Sequence, residues 1–587
     1  MDALLFLPDG QEITKMTEPN MTSKYTTFIS CFTLLLTLMF SGFCHAGEDA
    51  TPHSLPHPPK HEVRAVWLTT IGGLDWPHSY AQSARSIEKQ KAELVDLLNR
   101  LHRANINTVL LQTRIRGTVI YPSVFEPWDG CCSGVPGKSP GYDPLQFAIE
   151  ECHKRGMELH AWVVTIPLGK WSALGCKSIR KKHPKMVVKT GADGFLNPAH
   201  AETAKYIAGI CREITCNYDI DGIHLDYIRY PEDWKLNISK TQARANITNI
   251  VSEICRQVKS LKPWVKMSCA PIGKYDDLYR YSSRGWNAYN KGCQDVRLWL
   301  KEGLMDQIYP MMYFRGDQFY PFAMDWNENS YGRHVVPGLG VYFMSPREAN
   351  WSAEIIERQM NVLRGQGMGY AFFRNKFFCD DLKGLYSFTA DQFNTYPALV
   401  PPMKGYDTYT PSKPKHIRQQ TVEGIDMVTW EAVNDQAKHG GMAYNLYASD
   451  TYPVDTEDAS NLLLARYQGT AVNIRHHHKR YYAVTATNRY GYESVAVQQE
   501  DVFKESPSNI TLLSNDGYTM QLPAKGHELD ADYILLKSVA GNTIATLPYR
   551  GNTANISRIS EGFYSVYSLN RKGVNHRLGF IRIKRNR

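Results

Sequence analysis

The chain predicts an α/β fold, a (β/α)8 TIM barrel followed by two small all-β sandwich domains, and three observations carry that expectation. Strand-like and helix-like segments alternate in eight pairs between Glu62 and about Tyr396. A Pro-rich stretch from Tyr396 to Pro414 then closes that unit as a linker. Beyond it, apolar and aromatic residues recur at every second position in short runs, as strands with one buried face require.

The expected barrel strands are Val63 to Thr70, Thr108 to Thr113, Glu158 to Val164, Gly222 to Ile228, Lys266 to Ile272, Gln307 to Phe314, Val335 to Phe343 and Gly369 to Arg374. Between them, Ser86 to Ala104, Leu145 to Arg155, Ala201 to Asn217, Thr241 to Leu261 and Ala353 to Gly365 space their apolar residues as amphipathic helices do. A doubly wound open sheet is the rival arrangement, but no GxGxxG phosphate loop follows the first strand. The segments Val428 to Trp430, Tyr444 to Tyr447 and Tyr481 to Tyr492 then resemble a fibronectin type III sandwich with an aromatic core. Short strands such as Tyr533 to Ser538 and Gly562 to Leu569 predict a second small sandwich, whose role stays open between an accessory module and a secretion-sorting tail. The resulting domains are residues 62–408, 411–500 and 501–587, preceded by a leader over 1–46 and a linker over 47–61.

At 587 residues the chain is too long for one core. A hydrophobic content of 43% with 21% charged residues argues against disorder, and 35 Tyr with 12 Trp suit surfaces that stack on flat ligands. Lys plus Arg outnumber Asp plus Glu by 67 to 58, a net charge of +9, yet no helix-turn-helix, zinc finger or RNA-binding strand pair is present. Nucleic acid is therefore not the expected partner, whereas an anionic extracellular polymer suits a mildly basic exported protein.

The N-terminus carries an export signal: Lys24, the apolar run Thr27 to Phe43, then Cys44-His45-Ala46 before Gly47, with Met21 the more usual start. Ser30, Thr33 and Thr37 interrupt the run, which fits cleavage after Ala46 better than a lasting membrane span. The expected location is the periplasm or cell surface. A lipid anchor at Cys44 is the alternative, disfavoured by bulky Phe43. The ten cysteines from Cys131 to Cys379 show no metal spacing, and no cofactor is expected; a disulfide or two in the barrel suits an oxidising compartment. Others, such as Cys152 and Cys269, read as small buried hydrophobes. The basic run His476 to Arg480 belongs on a turn.

The chemistry concentrates in Asp221-Gly-Ile-His-Leu-Asp-Tyr-Ile-Arg-Tyr-Pro231. Period 2 sets His224 and Asp226 on one face and Ile223, Leu225 and Tyr227 on the other, so the polar face points into the barrel mouth. A structural ion pair of Asp226 with Arg229 is the plainer alternative. Barrels of this kind build their sites just past the strands. There the sequence places Asp75-Trp-Pro77, Gln112 with Arg114 and Tyr121, Trp162 and Asn197, then Asp226 to Tyr230, Asp276 with Asp277, Tyr309 with Met311 and Tyr313, and Arg374 with Asn375. Carboxylates, amides and aromatic walls suit a sugar better than a phosphate or an acyl ester, and no GxSxG elbow, P-loop or zinc-hydrolase His spacing is present.

Together, Glu62-Val-Arg-Ala-Val-Trp-Leu-Thr69, Asp75-Trp-Pro77, Leu111-Gln-Thr-Arg114, Gly222 to Pro231 and Asp306-Gln-Ile-Tyr-Pro-Met-Met-Tyr313 resemble the glycosyl-hydrolase-like-10 family of exported bacterial barrels. The resemblance spans Glu62 to about Tyr396 and implies glycosidic bond hydrolysis, with a family type that acts on peptide-free peptidoglycan glycan strands. Their lactyl carboxylates would give Arg114, Arg229 and Arg374 a use as carboxylate forks. A more distant likeness to family 18 chitinases aligns Asp221, His224, Asp226 and Ile228 with the Asp-x-x-Asp-x-Asp-x-Glu strand, so the chitinase acid is missing. Glycoside hydrolysis needs one ionised and one protonated carboxyl. Asp226 is the expected ionised group, held low by Arg229 and Tyr227, and Asp75 the first candidate acid, followed by Glu232, Asp276 and Glu126. Gln112, Arg114, Tyr121, Trp162, Asn197, His224, Tyr227, Arg229, Tyr313 and Arg374 are the expected substrate contacts. The leading reading is an exported glycoside hydrolase on an amino-sugar polysaccharide; the alternatives are a non-catalytic carbohydrate-binding barrel and a surface scaffold whose β domains do the work.

Overall fold

The computed structural model describes residues 58–585 apart from 233, 423–424, 436–439, 478, 499–512, 523–530, 539–541, 550 and 571–574. The expected signal peptide, its start at Met21 and the lipid-anchor position Cys44 lie outside the described residues. Eight parallel strands form the barrel: Arg64–Leu68, Thr108–Arg114, Glu158–Val164, Gly222–Asp226, Lys266–Cys269, Gln307–Ile308, the split seventh strand His334–Val335 and Gly338–Leu339, and Tyr370–Phe372. The ring closes because Val335 pairs back to Ile308 while Leu339 pairs forward to Phe372, and Arg64 pairs with Tyr370.

Every residue of the first three strands is buried, as expected where both faces of a parallel sheet are covered. Trp67, Leu110, Trp162, Tyr309, Val336 and Ala371 fill the barrel interior, while Val66, Val109, Leu159, Ile223 and Met267 face the surrounding helices. The helix Ala84–Arg103 shows why those helices form: Ser83 and Ser86 cap its start reciprocally, Leu94, Leu98 and Leu101 recur on one buried face, and Arg100, His102 and Arg103 meet the negative end of the helix dipole. The helices Ala201–Asn217 and Lys240–Leu261 pack side by side outside the fourth strand.

Three further strands, Pro167–Lys170, Val187–Thr190 and Asp193–Leu196, form an antiparallel sheet inserted after the third barrel strand, an element the sequence reading did not anticipate. The barrel is followed by two all-β units. In the first, the sheets Lys415–Val422/Ile425–Glu431/Ala471–Asn473 and Leu462–Tyr467/Met442–Ser449/Tyr481–Asn488/Val497–Gln498 enclose Val428, Trp430, Tyr444, Leu446, Tyr482 and Val484. In the second, the four strands Thr543–Pro548, Tyr533–Lys537, Gly562–Leu569 and Asn575–Ile583 cover Ile534, Leu536, Val566 and Ile581.

The first β unit packs on the N-terminal openings of the barrel strands through buried charge. Glu158 begins the third strand and Lys266 the fifth, and Asp221 immediately precedes the fourth. Lys266 Nζ donates to Glu158 Oε1 at 2.7 Å, and Arg466 of the β unit donates from Nη1 to Glu158 Oε1 and from Nη2 to Asp221 Oδ1 at 2.7 Å. Arg489 adds a bond to Asp219 at 2.6 Å. Gly156 lies at φ +68° against this seam, and a Cβ there would meet the Ala465 carbonyl oxygen at 2.1 Å, so only glycine fits.

All ten cysteines among the described residues are free thiols, correcting the expected barrel disulfide. Cys152 and Cys269 are fully buried and burial pushes their thiols up, so they pack as small apolar groups. Cys131 and Cys132 bring their Sγ atoms to 3.7 Å without a bond. Among the described residues no helix is long and apolar enough to cross a membrane.

Candidate active site

The fourth strand ends on Asp226, whose Oδ2 accepts from Trp162 Nε1 at 3.1 Å and whose Oδ1 accepts from the Tyr227 backbone N–H at 2.7 Å. Burial raises the Asp226 carboxyl above its ordinary 3.8, outweighing the Arg229 charge and these two hydrogen bonds. This corrects the expectation that Arg229 and Tyr227 hold Asp226 low: the strand delivers it to a site where desolvation wins, so it keeps its proton to higher pH than a free aspartic acid does.

Tyr227 is not the outward residue that alternation predicts. It adopts φ +51°, the left-handed region, and joins the aromatic group lining the barrel interior. The turn brings Arg229 back over its ring at 4.1 Å. Arg229 then donates from Nε and Nη2 to Glu232 Oε1 at 3.0 and 2.7 Å, while its buried Nη1 has no partner among the described residues. Burial alone would raise Glu232, but the Arg229 guanidinium outweighs it and holds this carboxyl below its ordinary 4.5. Arg229 therefore pairs with Glu232 instead of forming the simple ion pair with Asp226. Tyr313 stacks on Phe373 at 5.2 Å within electrostatic reach of Asp226. Trp162, Tyr227, Arg229 and Tyr313 thus come together around one carboxyl.

Other expected site residues are committed elsewhere. Asp75, the first candidate acid, is buried and accepts from Thr69 N at 2.8 Å, Lys376 N at 2.9 Å and Arg374 Nη1 at 2.7 Å, so both its oxygens are engaged in holding the loops together instead of facing a substrate. Arg374 is spent on that pair and on the Leu74 carbonyl oxygen at 2.9 Å. Arg114 is fully buried and grips Glu126 with two bonds at 2.9 and 2.7 Å, which removes Arg114 as a substrate fork and Glu126 as an acid. Tyr121 is buried and donates to Glu213 Oε2 at 2.8 Å. Gln112 accepts from Thr70 N at 3.1 Å and Ile71 N at 2.9 Å, pinning the loop after the first strand. His224 lies two residues deeper than Asp226. Its Nε2 accepts from Trp67 Nε1 at 3.1 Å, Nδ1 meets Ser268 Oγ at 3.0 Å, and burial keeps the ring neutral, so it is part of the barrel packing and out of a substrate's reach.

Two clefts flank the loop after the fourth strand and share Tyr230, Trp234 and Leu236. One, of about 500 Å³, carries Glu232, Asp276, Asp277, Asn287, Asn290, Lys240 and Lys291. There Asp276 accepts from Asn287 Nδ2 at 3.2 Å and Asn290 Nδ2 at 2.9 Å. The other, of about 610 Å³, is bounded by the inserted sheet and contains Asn197. Trp234 wedges between Tyr230 and Phe195, with ring centroids 5.8 and 6.3 Å away. Trp234 lies beyond the strand ends that single out site residues, although an aromatic eight residues past a strand-end carboxylate, in a polar loop, is the available signal.

This geometry sits in a segment with known relatives. The glycosyl hydrolase-like 10 family model matches residues 62–243 and 235–339. The chain is 29% identical to Glycosyl hydrolase YngK of Bacillus subtilis over 395 residues, 60% of this chain and 76% of that protein. It is 31% identical to Glycosyl hydrolase DigH of Escherichia coli K12 over 287 residues, 43% of this chain and 65% of that protein, so it spans less than two thirds of DigH. Among solved structures, the PgaB (BpsB) glycoside hydrolase domain of Bordetella bronchiseptica aligns over 56% of this chain and 98% of that domain, at 14% identity and a TM-score of 0.39. Through its barrel, over residues 62–339, the chain is similar to the glycosyl hydrolase-like 10 family.

Proposed function

We propose that this chain is an exported glycoside hydrolase that cleaves an amino-sugar polysaccharide, with peptidoglycan glycan strands as its substrate. The observation that carries the reading is the opposite displacement of two carboxyls around Arg229: Asp226 raised by burial, Glu232 lowered by the guanidinium. Asp226 donates its proton to the glycosidic oxygen as the bond to C1 lengthens. Glu232 keeps its negative charge and stabilises the oxocarbenium-like centre until water adds to C1, the proton lost from that water returning to the Asp226 carboxylate. The unpartnered Arg229 Nη1 offers a donor to an oxygen of the sugar. Trp162, Tyr227 and Tyr313 supply apolar faces for the ring. The apolar run Thr27 to Phe43 before Cys44-His45-Ala46 supports export, and the aromatic-cored sandwich after the barrel supports the fibronectin type III-like reading.

The test is incubation of the purified protein with peptide-free glycan strands, intact peptidoglycan and chitin oligomers, with products read by mass spectrometry. Asp226→Asn and Glu232→Gln are each expected to lower turnover at least about a hundredfold. Wild-type cleavage that survives Asp226→Asn would sink the assignment. A second reading, a carbohydrate-binding barrel without catalysis, is favoured by buried Ile228 where the chitinase strand carries its glutamate. Tight binding of strands with no products from the wild type would select it.

A further inference from the structure

The two clefts beside the catalytic loop differ in charge. The cleft holding Glu232 also carries Asp276 and Asp277 against Lys240 and Lys291. The second cleft is lined by Lys189 and Lys235 and by no carboxylate among the described residues. Its far wall belongs to the inserted sheet, where Lys189 stands in the strand Val187–Thr190 just before the turn at Gly191. That hairpin does contain an acid, but Asp193 is taken by Lys170 at 3.1 Å on the neighbouring strand. Lys189 instead leans towards the face of Trp171, Nζ 5.8 Å from the ring centroid. Asn197, with Oδ1 accepting from Ala199 N at 3.1 Å, presents its amide as a donor. At about 610 Å³ the cleft has room for a sugar unit or two, and Tyr230 and Trp234 give it an apolar wall shared with the catalytic side.

We infer that this second cleft is a subsite for a carboxylate-bearing sugar unit of the same glycan, read by Lys189 and Lys235 from opposite walls. The inference rests on the glycan-hydrolase reading and deepens it: chain passing over Trp234 is held on the cationic side while the bond is broken on the Glu232 side. An ammonium serves here as a point charge for a mobile carboxylate, and amides and aromatic faces position the ring.

The test measures binding separately from cleavage. In the Asp226→Asn full chain, which keeps both clefts and removes turnover, calorimetry compares a peptide-free peptidoglycan tetrasaccharide, its carboxyl-reduced form and chitotetraose. The carboxylated ligand is expected to bind about three- to tenfold more tightly than either neutral one, the scale of two solvent-accessible ion pairs. Lys189→Gln with Lys235→Gln is expected to abolish that preference while leaving chitotetraose binding unchanged, and 0.5 M salt to erase it in the parent. Equal affinity for carboxylated and reduced ligands, or a preference that survives the double substitution, overturns the inference. A preference abolished by the double substitution, with no cleavage of any ligand by the wild type, would instead overturn the hydrolase reading and leave the subsite standing.

Discussion

Arg466→Met removes one cation from the seam where the first β unit meets the barrel and keeps most of the side-chain volume. The Arg466 side chain is 15% exposed, whereas the Glu158 and Asp221 side chains that it bridges are each 1% exposed. Removing one partner of a buried pair costs about 3 to 5 kcal/mol, because the remaining charge is left in low dielectric. Here each carboxylate retains a partner: Glu158 keeps Lys266 at 2.7 Å, and Asp221 keeps His153 at 2.8 Å and Arg489 at 3.2 Å. The lower end applies, about 3 kcal/mol, read as a fall in the free energy of urea unfolding. The pH dependence has a definite sign. Burial opposes ionisation of Glu158, but Lys266 and Arg466 together hold it down to about 2, against 4.5 when unfolded. Its contribution to stability is therefore full above about 4.5 and drains away as pH falls towards 2. In Arg466→Met the Glu158 carboxyl is less depressed, so acid unfolding begins at higher pH. A loss below about 0.5 kcal/mol, or an Arg466→Met/Asp221→Asn cycle with no coupling, would refute the reasoning.

Further outcomes follow from the same geometry. Arg229→Gln removes the charge that lowers Glu232 and opposes the rise of Asp226, so both limbs of the pH–rate profile are expected to move to higher pH; unmoved limbs would separate Arg229 from the titrating pair. Asp75→Asn leaves Arg374 short of its carboxylate and is expected to cost about 2 kcal/mol in thermal unfolding, with the pH–rate limbs unchanged; a lost alkaline limb would restore Asp75 as an acid. Gly156→Ala combines a left-handed backbone with a clash at the Ala465 carbonyl, and is expected to destabilise the seam by about 2 kcal/mol or more and to quicken proteolysis between barrel and β unit.

Local pattern made the barrel legible. The strand Glu158–Val164 and the helices Ala201–Asn217 and Ala353–Gly365 fall at the bounds their apolar spacing predicts, since buried parallel strands and amphipathic helices state their periods within a few residues. The site was legible as a place more than as a set of roles. Asp226 stands at the strand end because strand topology puts it there, but its raised carboxyl reflects burial by the whole barrel, opposed by Arg229 and by Trp162, 64 residues away. Arg114 and Asp75 follow strands as active-site residues do, yet their fates turn on Glu126, 12 residues on, and Arg374, 299 residues on. Alternation also fails at Tyr227, where one left-handed residue re-aims everything up to Glu232. Nothing in a period of 2 announces that.

The buried charges at the N-terminal openings also constrain the order in which the molecule can assemble. Glu158 meets Arg466 across 308 residues of chain, and Asp221 meets Arg489, also in the β unit. A nascent chain that has delivered all eight barrel strands, through Phe372, has Lys266 against Glu158 and His153 against Asp221 but still lacks Arg466 and Arg489, which complete the pairing of its floor. The β unit thus acts as a late keystone: the pairing at the barrel floor is completed only by a segment made after the last barrel strand.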